Sequence, residues 1–179
     1  MMIERWLAPN KFSRGEEPMQ RVLGIVLHWY GKPGQSAISV FRYFDQCSGP
    51  EYGSAHYIVD HEIALHAVPL NEIAYHAGPR SATTPEARER FGGYPNAHLL
   101  GIEMAHIDWE GRILPATLAS VRMLCAWLCW RFDLNPMSDI IRHYDVTGKD
   151  CPRWFVANPD ELDVFRDSVK ATMIAAAAA

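Results

Sequence analysis

At 179 residues and 49% hydrophobic composition, the chain is long enough to bury one core as a single domain without disulfide staples. Its formal net charge of −4, with no Lys/Arg-rich run or basic strip interleaved with aromatics, argues against a nucleic-acid partner. No segment has the length and apolarity of a membrane span, and four cysteines at 47, 125, 129 and 151 are too sparse for the framework of a small secreted domain.

The N-terminal stretch Met1–Pro18 carries charges at Glu4 and Arg5 and no apolar stretch of leader length, so secretion through a signal peptide is not expected. Arg21–His28 is a β-branched apolar run bounded by Gly31 and Pro33, which predicts a buried strand ending at a histidine. Ser36 is placed to cap a helix reaching about Cys47, with Ile38, Phe41 and Phe44 at helical spacing and Ser48-Gly49-Pro50 as its stop. Ala55–Asp60 and Ile63–Val68 flank His61-Glu62, predicting a hairpin whose second strand ends before Pro69. From Gly78-Pro79-Arg80-Ser81 to Gly92-Gly93 the sequence reads as a long loop with one helical turn after Thr84-Pro85, a kind of connection that often lines a site.

Leu99–Ala105 predicts a strand interrupted by one carboxylate, Glu103, with a turn at Asp108–Arg112. Thr117 precedes Leu118, Val121, Leu124, Cys125, Leu128 and Phe132, a helical stripe that stops before Pro136. Cys125 and Cys129 on that stripe are expected to be small core hydrophobes rather than ligands. Ile140–His143 predicts a short strand, and Asn158-Pro159 starts a final helix with Leu162, Phe165 and Val169 facing inward. Strands alternating with helices give an α/β class and one domain over residues 1–172. Residues 173–179, ending in five alanines, read as a tail: a frayed helix end, a linker stump or a cloning remnant.

The chemistry concentrates in Arg142–Pro152, where an imidazole (His143), an ammonium (Lys149) and a thiol (Cys151) are expected within one short loop after an apolar strand. A neutral histidine and a cysteine thiolate both suit zinc, and His28, at the end of another apolar strand, supplies a third ligand. Spacing alone favours ordinary partly buried residues; the Gly148–Pro152 context changes that balance. Three protein ligands would leave one position open, as a hydrolase needs. Glu103, between Ile102 and Met104, either faces that site or points to solvent; facing the site, it is a candidate general base and acid. Lys149 is either an oxyanion stabiliser or a solvated loop lysine. Trp29, Tyr30 and Tyr57 are candidate groove walls for a sugar face, with core packing as the competing reading.

His28 at a strand end, Ser54–Tyr57, Ala74–Gly78, Gly101-Ile102-Glu103, and Arg142–Asp145 with Gly148–Pro152 occur together and in order. Together they resemble the zinc-dependent N-acetylmuramoyl-L-alanine amidases of type 2, found in phage lysins and bacterial autolysins and related to peptidoglycan recognition proteins. The likeness extends over about residues 21–155. It implies a central mixed sheet flanked by helices, with one zinc ion held by His28, His143 and Cys151 in a groove that receives the glycan–peptide junction. It also implies catalytic roles for Glu103 and Lys149, and places His76 in the groove wall, in contact with substrate or in support of the metal, with a structural role as the competing reading. One departure concerns Ala55, which stands where other members carry a catalytic tyrosine, so that proton transfer falls to Glu103 or is absent.

The activity so implied is hydrolysis of the amide between N-acetylmuramic acid and L-alanine, by a monomer acting on peptidoglycan. The expected setting is a phage or prophage endolysin, made in the cytoplasm and released to the wall by a separate factor. Two alternatives are a peptidoglycan-binding domain that has lost the metal and a cytosolic amidase that recycles anhydro-muropeptides. The full ligand set argues against the first. The cysteine at 151, where the recycling branch usually has aspartate, argues against the second.

Overall fold

The predicted histidine-ended strand lies inside the sheet and organises it. In the computed structural model, which describes residues 1–48, 52–79 and 82–178, β2 (Gly24–Trp29) pairs in parallel with both β5 (Leu99–Met104) and β6 (Ile140–Arg142). Covered on both faces, β2 reads as an almost unbroken apolar run. The predicted hairpin is β3 (Tyr57–Val59) antiparallel to β4 (Ala64–His66). Asp60 closes its turn by accepting N–H bonds from Glu62 and Ile63. β3 also pairs in parallel with β5, and a strand that sequence reasoning missed, β1 (Met2–Glu4), adds in parallel to β4. The result is a six-stranded mixed sheet of order β1-β4-β3-β5-β2-β6, as the resemblance implied.

Alternation along the strands assigns the two faces. Ile25 and Leu27 of β2, Leu100, Ile102 and Met104 of β5, and Tyr57 and Val59 of β3 face α3 (Pro115–Phe132), α6 (Arg153–Ala157) and α7 (Pro159–Ala177) in one continuous core. On the other face, α1 (Ala37–Asp45) packs Val40, Phe41 and Phe44 on Ile58 and Leu65. There too, α2 (Pro85–Phe91) and α5 (His143–Thr147) pack Phe91 and Val146 on Val26, Leu99 and Ile141. His28 and Glu103 lie on that second face, between the two clusters.

Local signals explain most element starts. Ser36 caps α1 by accepting from the Ser39 N–H, and Thr84 caps α2 by accepting from Ala87. Three features differ from expectation. α3 begins at Pro115, the favoured first helical position, so Thr117 lies buried inside its first turn. The 142–152 stretch is not one loop, because α5 occupies its first half; α6 and the four-residue α4 (Pro136–Asp139) were likewise unforeseen. Helix α7 runs on to Ala177, with Met173 packed against the core. Gly49 and Pro50, part of the expected stop of α1, and Arg80 and Ser81 of the long loop lie outside the described residues.

The N-terminal arm folds back along the β4 side. Leu7 is fully buried and donates its N–H to Ala67, while Arg14 makes a two-pronged ion pair with Glu72 at 2.8 Å. Among the described residues, no helix is long and apolar enough to cross a membrane.

Candidate metal centre and groove

Parallel pairing aligns His28 of β2 with Glu103 of β5, so both side chains leave the same face near the carboxyl ends of adjacent strands. His143 follows directly as the first residue of α5, because β6 stops at Arg142, whose guanidinium and N–H both bind the Asp145 carboxylate. Gly148, at φ +76°, ends α5 in the left-handed conformation and donates to the Tyr144 carbonyl. That reversal returns the chain so that Tyr144 N–H binds the Cys151 carbonyl at 3.0 Å, which sets the thiol beside His28 and His143.

The three side chains are buried and each offers a ligand atom, all within 4.8 Å of one another. His28 Nδ1 lies 3.7 Å from Cys151 Sγ. A tetrahedral divalent ion bonded to nitrogen and thiolate would hold such atoms about 3.6 Å apart. His143 Nδ1 is buried with no hydrogen-bond partner among the described residues, which leaves its lone pair for a ligand role. Burial, with His143, His76 and Lys149 adding, holds His28 well below the usual imidazole range. Burial and Lys149 bring His143 down to about 3, so both rings are neutral as metal ligands must be. Burial and Glu103 push the Cys151 thiol up to about 12, opposed by the Trp29 backbone N–H and by Lys149. A thiol held that high becomes a thiolate only beside a cation, so the donor set fits a metal ion better than a nucleophilic cysteine.

Glu103 faces the centre, not solvent. Its Oε2 is buried without a partner among the described residues, and burial raises the carboxyl pKa to about 8 against the pull of Lys149. Lys149 is exposed and lines the same groove as His143. The groove, of about 730 Å³, runs from His143 and Lys149 past His76 and Asn96 to the N-terminal arm. Its aromatic lining is Tyr52, Tyr75 and Tyr94, with Lys11 at its edge; Tyr75 donates to Glu17 at 2.7 Å and packs edge-on to Tyr52.

Those tyrosines were not predicted, and the aromatics that were lie elsewhere. Tyr57 shares its face with Ile102, opposite to Glu103, and stacks on His66 within the core. Trp29, one residue past His28, also turns to the far face, against His106 and beneath Arg153. Tyr30 is buried under α1. Ala55, the departure from the resembled pattern, is buried in that same cluster. Cys125 and Cys129 are core residues, as expected.

The fold and this set of side chains define the chain as a member of the N-acetylmuramoyl-L-alanine amidase family: the family model so described (Amidase_2) matches residues 18–154. Among curated relatives, the chain is 36% identical over 173 residues to N-acetylmuramoyl-L-alanine amidase BlyA of Bacillus subtilis (strain 168), covering 94% of this chain and 46% of that protein. It is 34% identical over 173 residues to N-acetylmuramoyl-L-alanine amidase CwlL of Bacillus licheniformis, again covering 94% of this chain and 46% of that protein. The chain thus spans about half the length of the curated relatives it matches. Among solved structures, the PlyG catalytic domain superposes with a TM-score of 0.75 at 18% identity, covering 97% of this chain and 96% of that one. The catalytic domain of XlyA gives 0.72 at 21% identity, covering 94% and 99%. At such identities the likeness is one of fold.

Proposed function

We propose that this domain hydrolyses the amide bond between N-acetylmuramic acid and the L-alanine of the peptidoglycan stem, with zinc held by His28, His143 and Cys151. The observation that carries the reading is the buried three-ligand cluster with Glu103 placed beside His28 by strand register. Membership of the amidase family supports the bond assigned.

Bound zinc would supply Lewis acidity toward the scissile carbonyl and lower the pKa of the attacking water. Glu103, which strand register sets beside His28, takes a proton from that water and delivers it to the departing alanine nitrogen. Lys149 sits on the groove side of His143, where its ammonium stabilises the tetrahedral oxyanion. Tyr52, Tyr75 and Tyr94 give the groove faces on which sugar rings or peptide planes can stack. With no nucleic-acid or membrane partner required, one chain carries the whole constellation.

Digestion of purified cell wall by the zinc-loaded domain is expected to release new amino-terminal L-alanine without new reducing ends, as read by mass spectrometry, and to stop on chelation. New reducing sugar ends, or cuts within the peptide, would refute the assignment. Wall binding without any cleavage would point to a recognition domain instead.

A further inference from the structure

His76 takes no part in the reaction set out above, yet its ring, bordering the groove, is held at both nitrogens. Only 7% of the residue is exposed, and its N–H and that of Ala77 both bind the Asn96 Oδ1, at 3.2 and 2.8 Å. The ring occupies the space over Gly101: a Cβ at that position would stand 2.6 Å from His76 Cγ and 2.9 Å from its Nδ1. Gly101 is itself pinned, since its N–H donates to His56 Nδ1 at 3.0 Å and its carbonyl accepts from the His56 N–H. The glycine is therefore a cradle, and the ring it admits reaches two partners. His76 Nε2 lies 3.0 Å from the Leu99 carbonyl, and Nδ1 lies 3.0 Å from His28 Nε2.

Those two contacts fix the protons. A carbonyl oxygen only accepts, so His76 Nε2 carries the hydrogen; in a neutral ring Nδ1 is then an acceptor, and His28 Nε2 must be the donor. His28 is left with its lone pair on Nδ1, the nitrogen facing Cys151. We propose that the Leu99 carbonyl, His76 and His28 form a hydrogen-bond relay that locks His28 in the Nε2–H tautomer and aims Nδ1 at the metal, with Gly101 as its cradle. His76 is thus a positioning residue rather than a contact for substrate. The inference rests on the zinc reading above, and it explains why a buried histidine lies between the sheet and its ligand.

Zinc affinity, measured by chelator competition, tests it with two variants. His76→Leu fills the site but cannot accept a hydrogen bond, and is expected to weaken zinc by about 10- to 100-fold. His76→Gln can accept from His28 and donate to Leu99, and should bind zinc within a few-fold of wild type. At saturating zinc, KM for wall fragments should stay unchanged in both. Nitrogen-15 spectra of the metal-free wild type should show His28 protonated on Nε2, a reading independent of whether any variant folds. Undiminished zinc binding by His76→Leu, a raised KM at saturating zinc, or a hydrogen on His28 Nδ1 would each overturn the relay alone. A wild-type domain that binds no zinc would overturn the functional reading as well.

Discussion

The two faces of the sheet are built from the same strands and used differently. Against α3 and α7 the residues of β2 and β5 form one continuous apolar core, in which Ile25, Leu27, Leu100 and Ile102 are fully buried. Against α1, α2 and α5 the apolar contacts split into two smaller clusters. A seam of His28, His56, His76, Glu103 and His143 separates them. A strand period of two lets Leu27 and His28, or Ile102 and Glu103, serve packing and chemistry from adjacent positions. The difference teaches that an effect on stability or on turnover follows from which way a side chain points.

Substitutions on each face can break or sharpen that division. Glu103→Gln should lower kcat by about 10²- to 10⁴-fold while zinc content stays stoichiometric, which metal analysis beside a wall-clearing assay would check. Normal turnover would remove Glu103 from the mechanism. Lys149→Met should lose about 10²- to 10³-fold in kcat, again with zinc retained and the melting temperature unmoved. On the opposite face, Leu128→Ala should cost about 2–5 kcal/mol by denaturant unfolding, yet leave zinc affinity and kcat of the folded enzyme intact. A fall in zinc affinity there would show the faces to be coupled.

Asp60 adds a pH dependence. Burial alone would raise its pKa, but N–H donation from Ala37, Glu62 and Ile63 brings it below the ordinary carboxylate value. A carboxyl depressed by folding stabilises above its unfolded pKa of about 3.9, and that contribution is lost as pH falls through the folded value. Asp60→Asn should therefore cost about 1–3 kcal/mol at pH 7, with the gap to wild type closing in acid. The smallest effect is expected for Trp130→Gln, on the exposed side of α3, within about 0.5 kcal/mol of wild type.

Much of the centre was legible because its ligands sit at strand ends and in a compact run of motifs. His28, His143 and Cys151 cluster, Glu103 lies beside His28 by strand register, and Lys149 lines the groove together with His143. The choice of Trp29 and Tyr57 as groove walls failed on a rule the sequence does contain. A neighbour of a ligand on a strand faces away from it, and Tyr57 pairs with Ile102, not Glu103. Tyr52, Tyr75 and Tyr94 were out of reach for another reason. They come from separate loops, where no periodicity records direction, and only tertiary packing sets them side by side. β1 escaped because three residues at a sheet edge carry too short a pattern, and α5 because five residues do.

Helix α7 and the N-terminal arm matter for anyone who would transplant the proposed activity. Every proposed ligand and proton carrier falls within residues 18–154, the stretch matched to the family. Yet Leu7 plugs the β4 side, and Leu162, Phe165 and Val169 seal the far face of the sheet, all from outside that stretch. A graft cut at the motif boundaries would carry the chemistry without its insulation, and would expose apolar surface on both flanks. Portable modules of this fold are therefore bounded by packing, not by homology.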